Sequence, residues 1–595
     1  MRPLNLWKYV RGALTPPRGR SERMSFSLGQ RPLHGETPSP GGGPPQEEGG
    51  SGHALSKSLS DNERLLKKVF HVPTSSDVVF RDIRCASPTV RVSVSYVEGM
   101  ASFEKVFSSV LQPIMLLSAM RKEAGEPVKH LKEALLVNGQ VEEKKTIEDL
   151  VEAMVMGDTV VLIDGADRAL VVETKGWEHR PVGETVTERI VRGPQQGFVE
   201  VLRLNTAIVR SIVQTPDLVV ENVDLGLSAK NRCALLYVHG LANPKVVAEV
   251  RRRLHGISTS EIMTSGTLEQ YIETSHSILP TIMSTERPDR VAHFLMAGAC
   301  AVIVAGDPFA LVMPVTLFTF VHSPEDNYVR WPYGNMLRAI RYLGLFLVVF
   351  LPGLYVAVVN YNPEMIPTSL IMAIAASREP IPFPLSVEVM IMFVGFELIR
   401  EAGIRIPSPI GPTIGIVGAL LIGEAAVAAS IVSPILVIVV AVTAVASFTT
   451  PNQELAMFTR LATLIFILAG ATLGLFGIVA LTYVMLCHAA SLTSVGVPFL
   501  SPLSPIRSDQ QYGPSATPPW KARKRPEEIR PQDTTRQPET SRLWDQGKTL
   551  GDAMQERGES ESSDLQDVGR KGGGKGADRL GAEQGPAQRR GREGR

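Results

Sequence analysis

The feature that most constrains this chain is a long apolar stretch in its second half. Residues 380–504 are mostly apolar, and the run GPTIGIVGALLIGEAAVAASIVS at 411–433 carries Glu424 as its one ionisable group. As a helix, a run of this length extends over about 30 Å, which is enough to cross the hydrocarbon core of a bilayer. The stretch therefore predicts a membrane-embedded helical domain.

Small residues recur in this run with helical spacing. They follow one another at intervals of four and three residues, which places them on one helix face. With the neighbouring glutamate, the set is Ala419, Gly423, Glu424, Ala426, Ser430 and Ser433. Such a stripe lets the backbone of a second helix approach closely, and it also suits the lining of a narrow water-filled path. Both interpretations stay open, and Glu424 is either a hydrogen-bonding group between helices or an ion ligand.

A second group of charges lies in the segment FELIREAGIRIP at 396–407. Its charged residues include Glu397, Arg400 and Glu401. Glu397 and Arg400 are three positions apart, so they share a helix face and can form an ion pair. A charge in lipid costs a few kcal/mol, so such groups usually pair or face water. The segment is therefore either a candidate intramembrane ion pair or the interface end of a crossing.

The first half of the chain repeats itself. YVEGMA at 96–101 returns as YVHGLA at 237–242, and GDTVVLIDGADRALVV at 157–172 returns as GACAVIVAGDPFALVM at 298–313. Both pairs have an offset of 141 residues. One constant offset predicts two copies of an α/β unit that contains a hairpin, although any two hairpins share some likeness. The repeat also predicts strands at 298–315, where hydropathy alone would allow a membrane span.

The expected fold class is α/β plus all-α membrane, with two tandem α/β subdomains followed by a polytopic helical transmembrane domain. The expected division is a disordered N-terminal tail at 1–57, an α/β subdomain at 58–185, a linking helix and connector at 186–227, a second α/β subdomain at 228–325, the transmembrane domain at 326–504 and a disordered charged tail at 505–595. Tails rich in Pro, Gly and charge bury too little apolar surface to offset the entropy of ordering.

Four to six membrane crossings are expected in the transmembrane domain. The segment 461–492 is too long for one untilted crossing, and Gly470, Gly474 or Gly477 is expected to divide it. Basic residues lie beside the first and the last apolar segments, which favours the cytoplasmic side for both ends of the chain.

No catalytic, cofactor-binding or metal-binding set stands out. The net charge of +1 gives no reason to expect nucleic-acid binding, and the four cysteines are far apart with no CxxC. The chain has no Walker loop, GxSxG or HExxH pattern. The sequence therefore predicts a protein that is not an enzyme and that needs no cofactor.

Several segments resemble the A subunit of the spore germination nutrient receptors. They are TERPDR at 285–290, PFPLSVEVMIMFVGFELIREAGIRIPSPIG at 382–411, IVGALLIGEAAVAASIVSPILVIVVAVTAVASFTTPNQELA at 416–456 and SLTSVGVPFLSPLSP at 491–505. In addition, GPQQGFVEVLRLNTAIVR at 193–210 resembles the linker motif of that family. The resemblance covers residues 60–505, and the two tails fall outside it.

This resemblance implies a multi-pass protein of the inner spore membrane whose N-terminal domain and C-terminal tail face the core. It implies a transporter-like B subunit and a lipoprotein C subunit as partners, contact with lipid, and a homo-oligomer that acts as a nutrient-gated ion-release channel. Nutrient recognition in the family is ascribed mainly to the B subunit, so no ligand residues are expected here. The alternatives are a non-conducting scaffold for receptor clusters and a stage V sporulation-type paralogue that amplifies germination.

Two positions depart from the family pattern. The family often has Gln where this chain has Glu424, and LRLNTAIVRSIV at 202–213 lacks an arginine pair that is common after the linker motif. The resemblance therefore supports an ion path at Glu424 and basic contacts at the linker less strongly than it supports the other family properties.

Overall fold

Two five-stranded antiparallel sheets form the first part of the chain, and a group of long helices follows them. The structure is a computed structural model. It describes residues 53–84, 91–117, 128–129, 131–132, 140–176, 185, 187–273, 277–405, 423–505 and 515–537.

The first sheet has the strand order β1-β2-β4-β5-β3. Its strands are β1 Val78–Arg84, β2 Arg91–Val97, β3 Val141–Lys144, β4 Thr159–Ile163 and β5 Ala169–Val172. Helices α1 (Leu59–Val69) and α2 (Ile147–Val155) cover one face of this sheet. Three consecutive helical segments follow β2, namely Phe103–Lys105, Val106–Leu111 and Gln112–Leu117, and the last two cover the other face. Because both faces are covered, the strands are rich in buried Val, Ile and Leu.

The second sheet has the order β6-β7-β9-β10-β8. Its strands are β6 Leu218–Leu225, β7 Asn231–Val238, β8 Met283–Thr285, β9 Cys300–Val304 and β10 Ala310–Met313. Its helices are α3 Leu202–Ile212, α4 Pro244–His255, α5 Ser265–Ile272, α6 Pro288–Met296 and α7 Leu317–Val321. Helices α3 and α6 pack on one face, and α4 and α5 pack on the other.

The two sheets have the same topology. Helix α2 and strands β4 and β5 recur 141 residues later as α6, β9 and β10, with unchanged lengths. The hairpin expected at 298–315 is observed as β9–β10, in which Ala310 pairs with Ile303. Its hydropathy resembles that of a membrane span because both faces of these strands are buried. Strand β6 precedes residue 228, so the second sheet starts before the boundary expected from the sequence.

Among the described residues, five helices of more than ten residues follow the second sheet. They are α8 Trp331–Tyr361, α9 Thr368–Arg378, α10 Leu385–Arg405, α11 Pro434–Ser447 and α12 Gln453–Ser491. Within the described residues, α8 and α12 are the two helices long and apolar enough to cross a membrane. They cross at a pair of glycines, where a Cβ added to Gly353 would lie 2.7 Å from the carbonyl oxygen of Phe466. Backbone therefore packs directly on backbone, as membrane helices with small residues allow.

Helix α12 is interrupted at Gly474, one of the three glycines expected to divide it. Gly474 has a φ of 62° and a non-helical ψ of −145°. The hydroxyl of Tyr361, at the end of α8, donates to the carbonyl oxygen of Ala471 at 2.7 Å, so the end of α8 is fixed against the kink. A Cβ on Gly474 would lie 2.9 Å from Tyr361 Cγ, so a larger residue would meet that ring.

Residues 515–537, which the sequence analysis assigns to the charged tail, pack against the second subdomain and α8. The N–H of Gln532 donates to the carbonyl oxygen of Leu241 at 2.8 Å, and Asn243 Nδ2 donates to that of Arg530 at 3.0 Å. The side-chain oxygen of Asn335 in α8 accepts the N–H of Ala516 at 2.7 Å. Backbone hydrogen bonding, which the composition of the segment does not reveal, holds this stretch in place.

Candidate functional site

The small-residue stripe lies partly inside the described residues. Ala419 is outside them. Residues 423–428 are helical, with Gly423 buried, Ala426 half-buried and Glu424 exposed. A carboxylate exposed on a single chain can face water, lipid headgroups or a further subunit.

The last two members of the stripe lie beyond the end of that helical stretch. Ser430 has a φ of 51°, which takes the chain out of the helix. Ser433 is buried and caps α11, because its hydroxyl accepts the N–H of Leu436 and Pro434 occupies the first helical turn. Ser430 and Ser433 therefore do not continue the helix face that carries Gly423 and Ala426.

Glu397 and Arg400 form an ion pair on α10. Arg400 Nη1 donates to Glu397 Oε1 at 3.0 Å, and Arg400 Nη2 donates to Ser447 Oγ on α11 at 2.9 Å. The guanidinium also lies over the ring of Phe396, 4.6 Å from its centroid. Arg460 on α12 approaches the same carboxylate, with Nε at 3.9 Å from Glu397 Oε2. Arginines from α10 and α12 therefore approach one carboxylate, and α11 joins them through Arg400. Glu401, the third residue of the expected cluster, is exposed one position further along α10.

A small cavity of about 20 Å³ adjoins this pair. Its polar lining comes from Glu397, Arg400, Thr443, Ser447, Arg460 and Thr463. The Nε groups of Arg400 and Arg460 are buried and have no hydrogen-bond partner among the described residues. A cavity of this size holds one water molecule, which could accept from such donors. Polar groups from α10, α11 and α12 therefore line a water-sized space among apolar helices.

A second carboxylate, Glu388, is also buried among these helices, and the sequence patterns did not predict it. It is 0% exposed, and its oxygens accept from Arg378 Nε at 3.2 Å and from the N–H of Ser433 at 3.3 Å. It joins α9, α10 and the start of α11. In the sequence, the signal for this contact is a single Glu in the apolar run LSVEVMIM, because an ionised group among apolar residues needs a partner.

The motif TERPDR forms the junction between the second subdomain and the segment that precedes it. Arg287 is fully buried and donates to the carbonyl oxygens of Pro194 at 2.6 Å and Glu188 at 3.1 Å, and to Asp289 at 2.9 Å. The carboxylate of Glu286 accepts the N–H groups of Thr187 and Glu188. The motif therefore fixes the connecting segment on the sheet through side chains, without regular structure.

The next arginine of the motif extends the junction towards α8. Arg290 binds Glu188 Oε1 at 3.0 Å and donates to the carbonyl oxygens of Thr319 and His322 at 3.1 and 3.2 Å. Burial raises the pKa of Glu188, and Arg290 opposes that shift. Arg290 thereby connects α6 to the connecting segment through Glu188. Through Thr319 and His322 it also connects α6 to the segment that enters α8.

A cavity of about 180 Å³ lies beside this junction. It is lined by Glu188, Ser265, Ser284, Asn452 and Glu454, among others. Glu454 opens α12 and accepts the N–H of Ser284 on β8 at 2.9 Å. The first turn of the long apolar helix is thus bonded directly to the edge strand of the second sheet. A displacement of that sheet would act on α12 through this contact.

The half-buried His293 on α6 gives the second subdomain a dependence on pH. Burial, together with the nearby Arg536, lowers the pKa of His293 to about 4. Between pH 6.5 and 4 the unfolded chain therefore binds a proton that the folded chain does not, so the free energy of unfolding falls as the pH drops through this window. At pH 5 we expect a loss of about 2 kcal/mol relative to pH 7, measured as a fall in melting temperature.

The matched control for this prediction is the replacement of an exposed histidine. His293→Gln removes the titrating group, so its melting temperature should fall less than that of the wild type between pH 7 and pH 5. His255→Gln, at the exposed end of α4, should behave as the wild type. An equal fall in the wild type and in His293→Gln would contradict the prediction.

Comparisons with known proteins identify the family. The model of the family described as "Bacillus/Clostridium GerA spore germination protein" matches residues 64–528. Spore germination protein KA of Bacillus subtilis is 39% identical over 486 residues, which cover 81% of this chain and 89% of that protein. Spore germination protein GerLA of Bacillus cereus is 36% identical over 465 residues, covering 78% and 94%.

One solved structure is also similar to part of the chain. The crystal structure of the N-terminal domain of the A subunit of the Bacillus megaterium spore germinant receptor GerK3 is 31% identical, covers 44% of this chain and 98% of its own, and has a TM-score of 0.36. The resemblance to germinant receptor A subunits that TERPDR and the membrane segments indicate is confirmed by the family match and the relatives. The chain belongs to the GerA family of spore germination proteins, the A subunits of germinant receptors.

Proposed function

We propose that this chain is a germinant-receptor A subunit of the inner spore membrane that oligomerises and forms a nutrient-gated path for ion release. The family membership and the two long apolar helices α8 and α12 support this assignment. Further crossings, including α10 and the segment around 411–433, complete a polytopic domain. The N-terminal domain and the C-terminal tail lie on the core side of the membrane.

The observation that carries the channel proposal is the polar cavity between α10, α11 and α12. Two arginines, a glutamate and three hydroxyl groups line a space of about 20 Å³ in surroundings that are otherwise apolar. Charged groups in a membrane are costly, and they persist where they pair and face water. A water-sized space lined by such groups is the narrow part of a hydrated path, which opens when the helices separate.

Neighbouring subunits complete the path and cover the apolar exterior. On a single chain, Leu343, Phe476 and Val479 are 58%, 75% and 67% exposed on the two long helices, so lipid or a second protein covers them. The partners proposed are further copies of this chain, a transporter-like B subunit and a lipoprotein C subunit. The exposed Glu424, with the half-buried Ala426 on the same helical stretch, lines the path between copies in this arrangement.

Coupling between nutrient binding and the membrane path runs through the junction at TERPDR. Movement of the second sheet relative to α12 changes the bond between Ser284 and Glu454, which joins the two parts. In this proposal the helices around α12 switch between a closed and an open arrangement. The kink at Gly474 allows the two segments of α12 to move separately.

Filling the polar cavity tests this function. We expect Thr443→Leu to reduce ion flux by at least about 10-fold at unchanged protein level, because the larger apolar side chain occupies the hydrated space. Thr443 is buried on α11 and lines the cavity. The measurement is ligand-triggered cation efflux from liposomes that contain the purified receptor.

The same substitution at an exposed position is the control. Thr472 lies exposed on α12, and its hydroxyl donates to the carbonyl oxygen of Leu468 in the same helix. Thr472→Leu should therefore leave flux unchanged. Equal flux in Thr443→Leu and the wild type would exclude this cavity as the path. A complete absence of conductance in the assembled receptor with any nutrient would favour the scaffold, and germination amplified without nutrient sensing would favour the stage V paralogue.

A further inference from the structure

Two histidines and an aspartate meet where the two subdomains touch. His71 follows α1 in the first subdomain, whereas Asp217 lies directly before β6 and His239 directly after β7 in the second. His71 Nε2 is 3.2 Å from Asp217 Oδ1, and the ring centroids of His71 and His239 are 4.2 Å apart. One ligand atom from each residue lies within 4.8 Å of the other two. Three side chains of metal-binding type therefore converge on one point.

The separation of these atoms matches the geometry of a bound transition-metal ion. Around a tetrahedral zinc ion, with bonds of about 2.0–2.2 Å, neighbouring ligand atoms are about 3.3 Å apart. The distance of 3.2 Å between His71 Nε2 and Asp217 Oδ1 fits one edge of such a tetrahedron. His239 is exposed, so its ring can rotate by a small amount to complete the set without disturbing the core.

The backbone holds the three residues in place before any ion binds. The N–H of His239 donates to the carbonyl oxygen of Asp217 at 2.8 Å, which fixes these two ligands relative to each other. The N–H of Ser75 donates to the carbonyl oxygen of His71 at 3.0 Å, and that of Ser76 donates to the carbonyl oxygen of Val220 at 2.9 Å. The loop that carries His71 is thus bonded to the strand that follows Asp217. A preformed set of this kind loses less entropy on binding.

The donor atoms select the kind of ion. Two imidazole nitrogens and one carboxylate oxygen suit a borderline ion such as Zn²⁺, whereas Mg²⁺ and Ca²⁺ prefer oxygen ligands. The side chains of His71 and Asp217 are 23% and 51% exposed, so solvent reaches the point where they meet. Three protein ligands leave a fourth position open to water, as in zinc sites that are not purely structural.

We propose that His71, Asp217 and His239 bind one divalent transition-metal ion, with Zn²⁺ as the representative, and that this ion joins the first subdomain to the second. The chain supplies one ligand from the first subdomain and two from the second, so binding stabilises the arrangement in which they touch.

The test is a Zn²⁺ titration of the full chain purified in detergent, with Mg²⁺ as the hard-cation control. We expect His239→Ala and His71→Asn each to lose one equivalent of bound Zn²⁺, or to bind it at least about 10-fold more weakly. Removing a residue that only hydrogen-bonds to a metal ligand already lowers metal affinity by about 10–100-fold, and here a ligand itself is removed. Asparagine is chosen at position 71 because His71 has a φ of 55°, a conformation that Asn tolerates. His255→Ala, at an exposed site in the same subdomain, should bind as the wild type.

A second measurement separates this site from other histidines, of which the chain has 11 in all. In the wild type, Zn²⁺ should slow the amide hydrogen exchange of residues 71–76 and 217–220 together, because the ion ties these two segments to each other. In His239→Ala, Zn²⁺ should leave their exchange unchanged. Equal Zn²⁺ stoichiometry together with equal affinity in His239→Ala and His255→Ala, or a wild type that binds no Zn²⁺ at micromolar concentration, would overturn the proposal.

Discussion

Replacing Arg210 with alanine is expected to lower the free energy of unfolding of the N-terminal domain by about 3–5 kcal/mol. Arg210 is fully buried on α3, and its Nε and Nη2 bind the two oxygens of Asp77 at 2.7 and 2.9 Å. Nη2 also donates to the carbonyl oxygen of Leu218, the first residue of β6, at 2.9 Å. The substitution leaves the Asp77 carboxylate buried without its cation, and an uncompensated buried charge costs far more than a lost surface contact.

The contact also joins the two subdomains, because Asp77 directly precedes β1 and Arg210 lies on the linking helix. The measurement is amide hydrogen exchange of β1, β6 and α3, in which we expect a loss of protection of at least about 100-fold. Replacing both partners, as Asp77→Ala with Arg210→Met, should recover part of the stability, because no charge then remains buried.

The same helix supplies the matched control. Arg203 on α3 pairs with Glu98 at 2.7 Å, but the two side chains are 63% and 36% exposed. Water screens such a pair, so Arg203→Ala should cost less than about 1 kcal/mol. If Arg210→Ala costs no more than Arg203→Ala, the buried pair does not hold the subdomains together.

The second large effect is expected at the crossing of the two long apolar helices. Gly470→Leu should destabilise the packing of α8 against α12 by about 3 kcal/mol or more, because overpacking at a rigid site costs 1–3 kcal/mol and sometimes more. A Cβ at Gly470 meets the carbonyl group of Gly353, and backbone on both helices has no room to move aside. We expect a lower melting temperature in detergent, a lower protein level in the membrane and loss of the germination response.

Gly395→Leu is the control for the glycine crossing. Gly395 lies within α10, and a Cβ added there would have no atom within 4 Å. The same side chain is therefore introduced into α10 without a clash, and the melting temperature should stay within the range of the wild type. Equal melting temperatures for Gly470→Leu and Gly395→Leu would show that the crossing tolerates a side chain.

The secondary structure of the N-terminal domain could be predicted because its signals are local. The alternation and the turn glycines of 157–172 indicate a hairpin, and the offset of 141 residues transfers that interpretation to 298–313. Strands β4, β5, β9 and β10 follow this pattern. The break in α12 was likewise expected from its glycines, since a residue with positive φ is usually glycine.

The candidate site was only partly predictable. Glu397 and Arg400 are three residues apart on one helix, so their pairing follows from helical spacing. The contact of Arg400 with Ser447 joins two helices 47 residues apart and has no local signal. The composition of 411–433 predicts one helix face for the whole stripe, whereas the positive φ of Ser430 ends the helical stretch before Ser433. The apolar composition of the run carries no local signal for that positive φ.

The contacts between distant residues were not predictable at all. His71 and Asp217 are 146 positions apart, and Asp77 and Arg210 are 133 apart. Any of 61 basic and 60 acidic residues could form such pairs, and sequence spacing does not choose among them. The buried arginines of TERPDR show the same limit, because their partners are mostly carbonyl oxygens, which every residue carries.

The elements, the duplication, the apolar helices and the family follow from the amino-acid order, because periodicity, caps, repeats and motifs can all be recognised without the fold. Tertiary structure alone decided which charges are buried together, where α12 meets the second sheet and which histidines face an aspartate across the subdomain boundary. The physical reason is that such contacts form only when chain closure brings distant segments together, and the direction of a side chain at that point depends on the packing of every element between them.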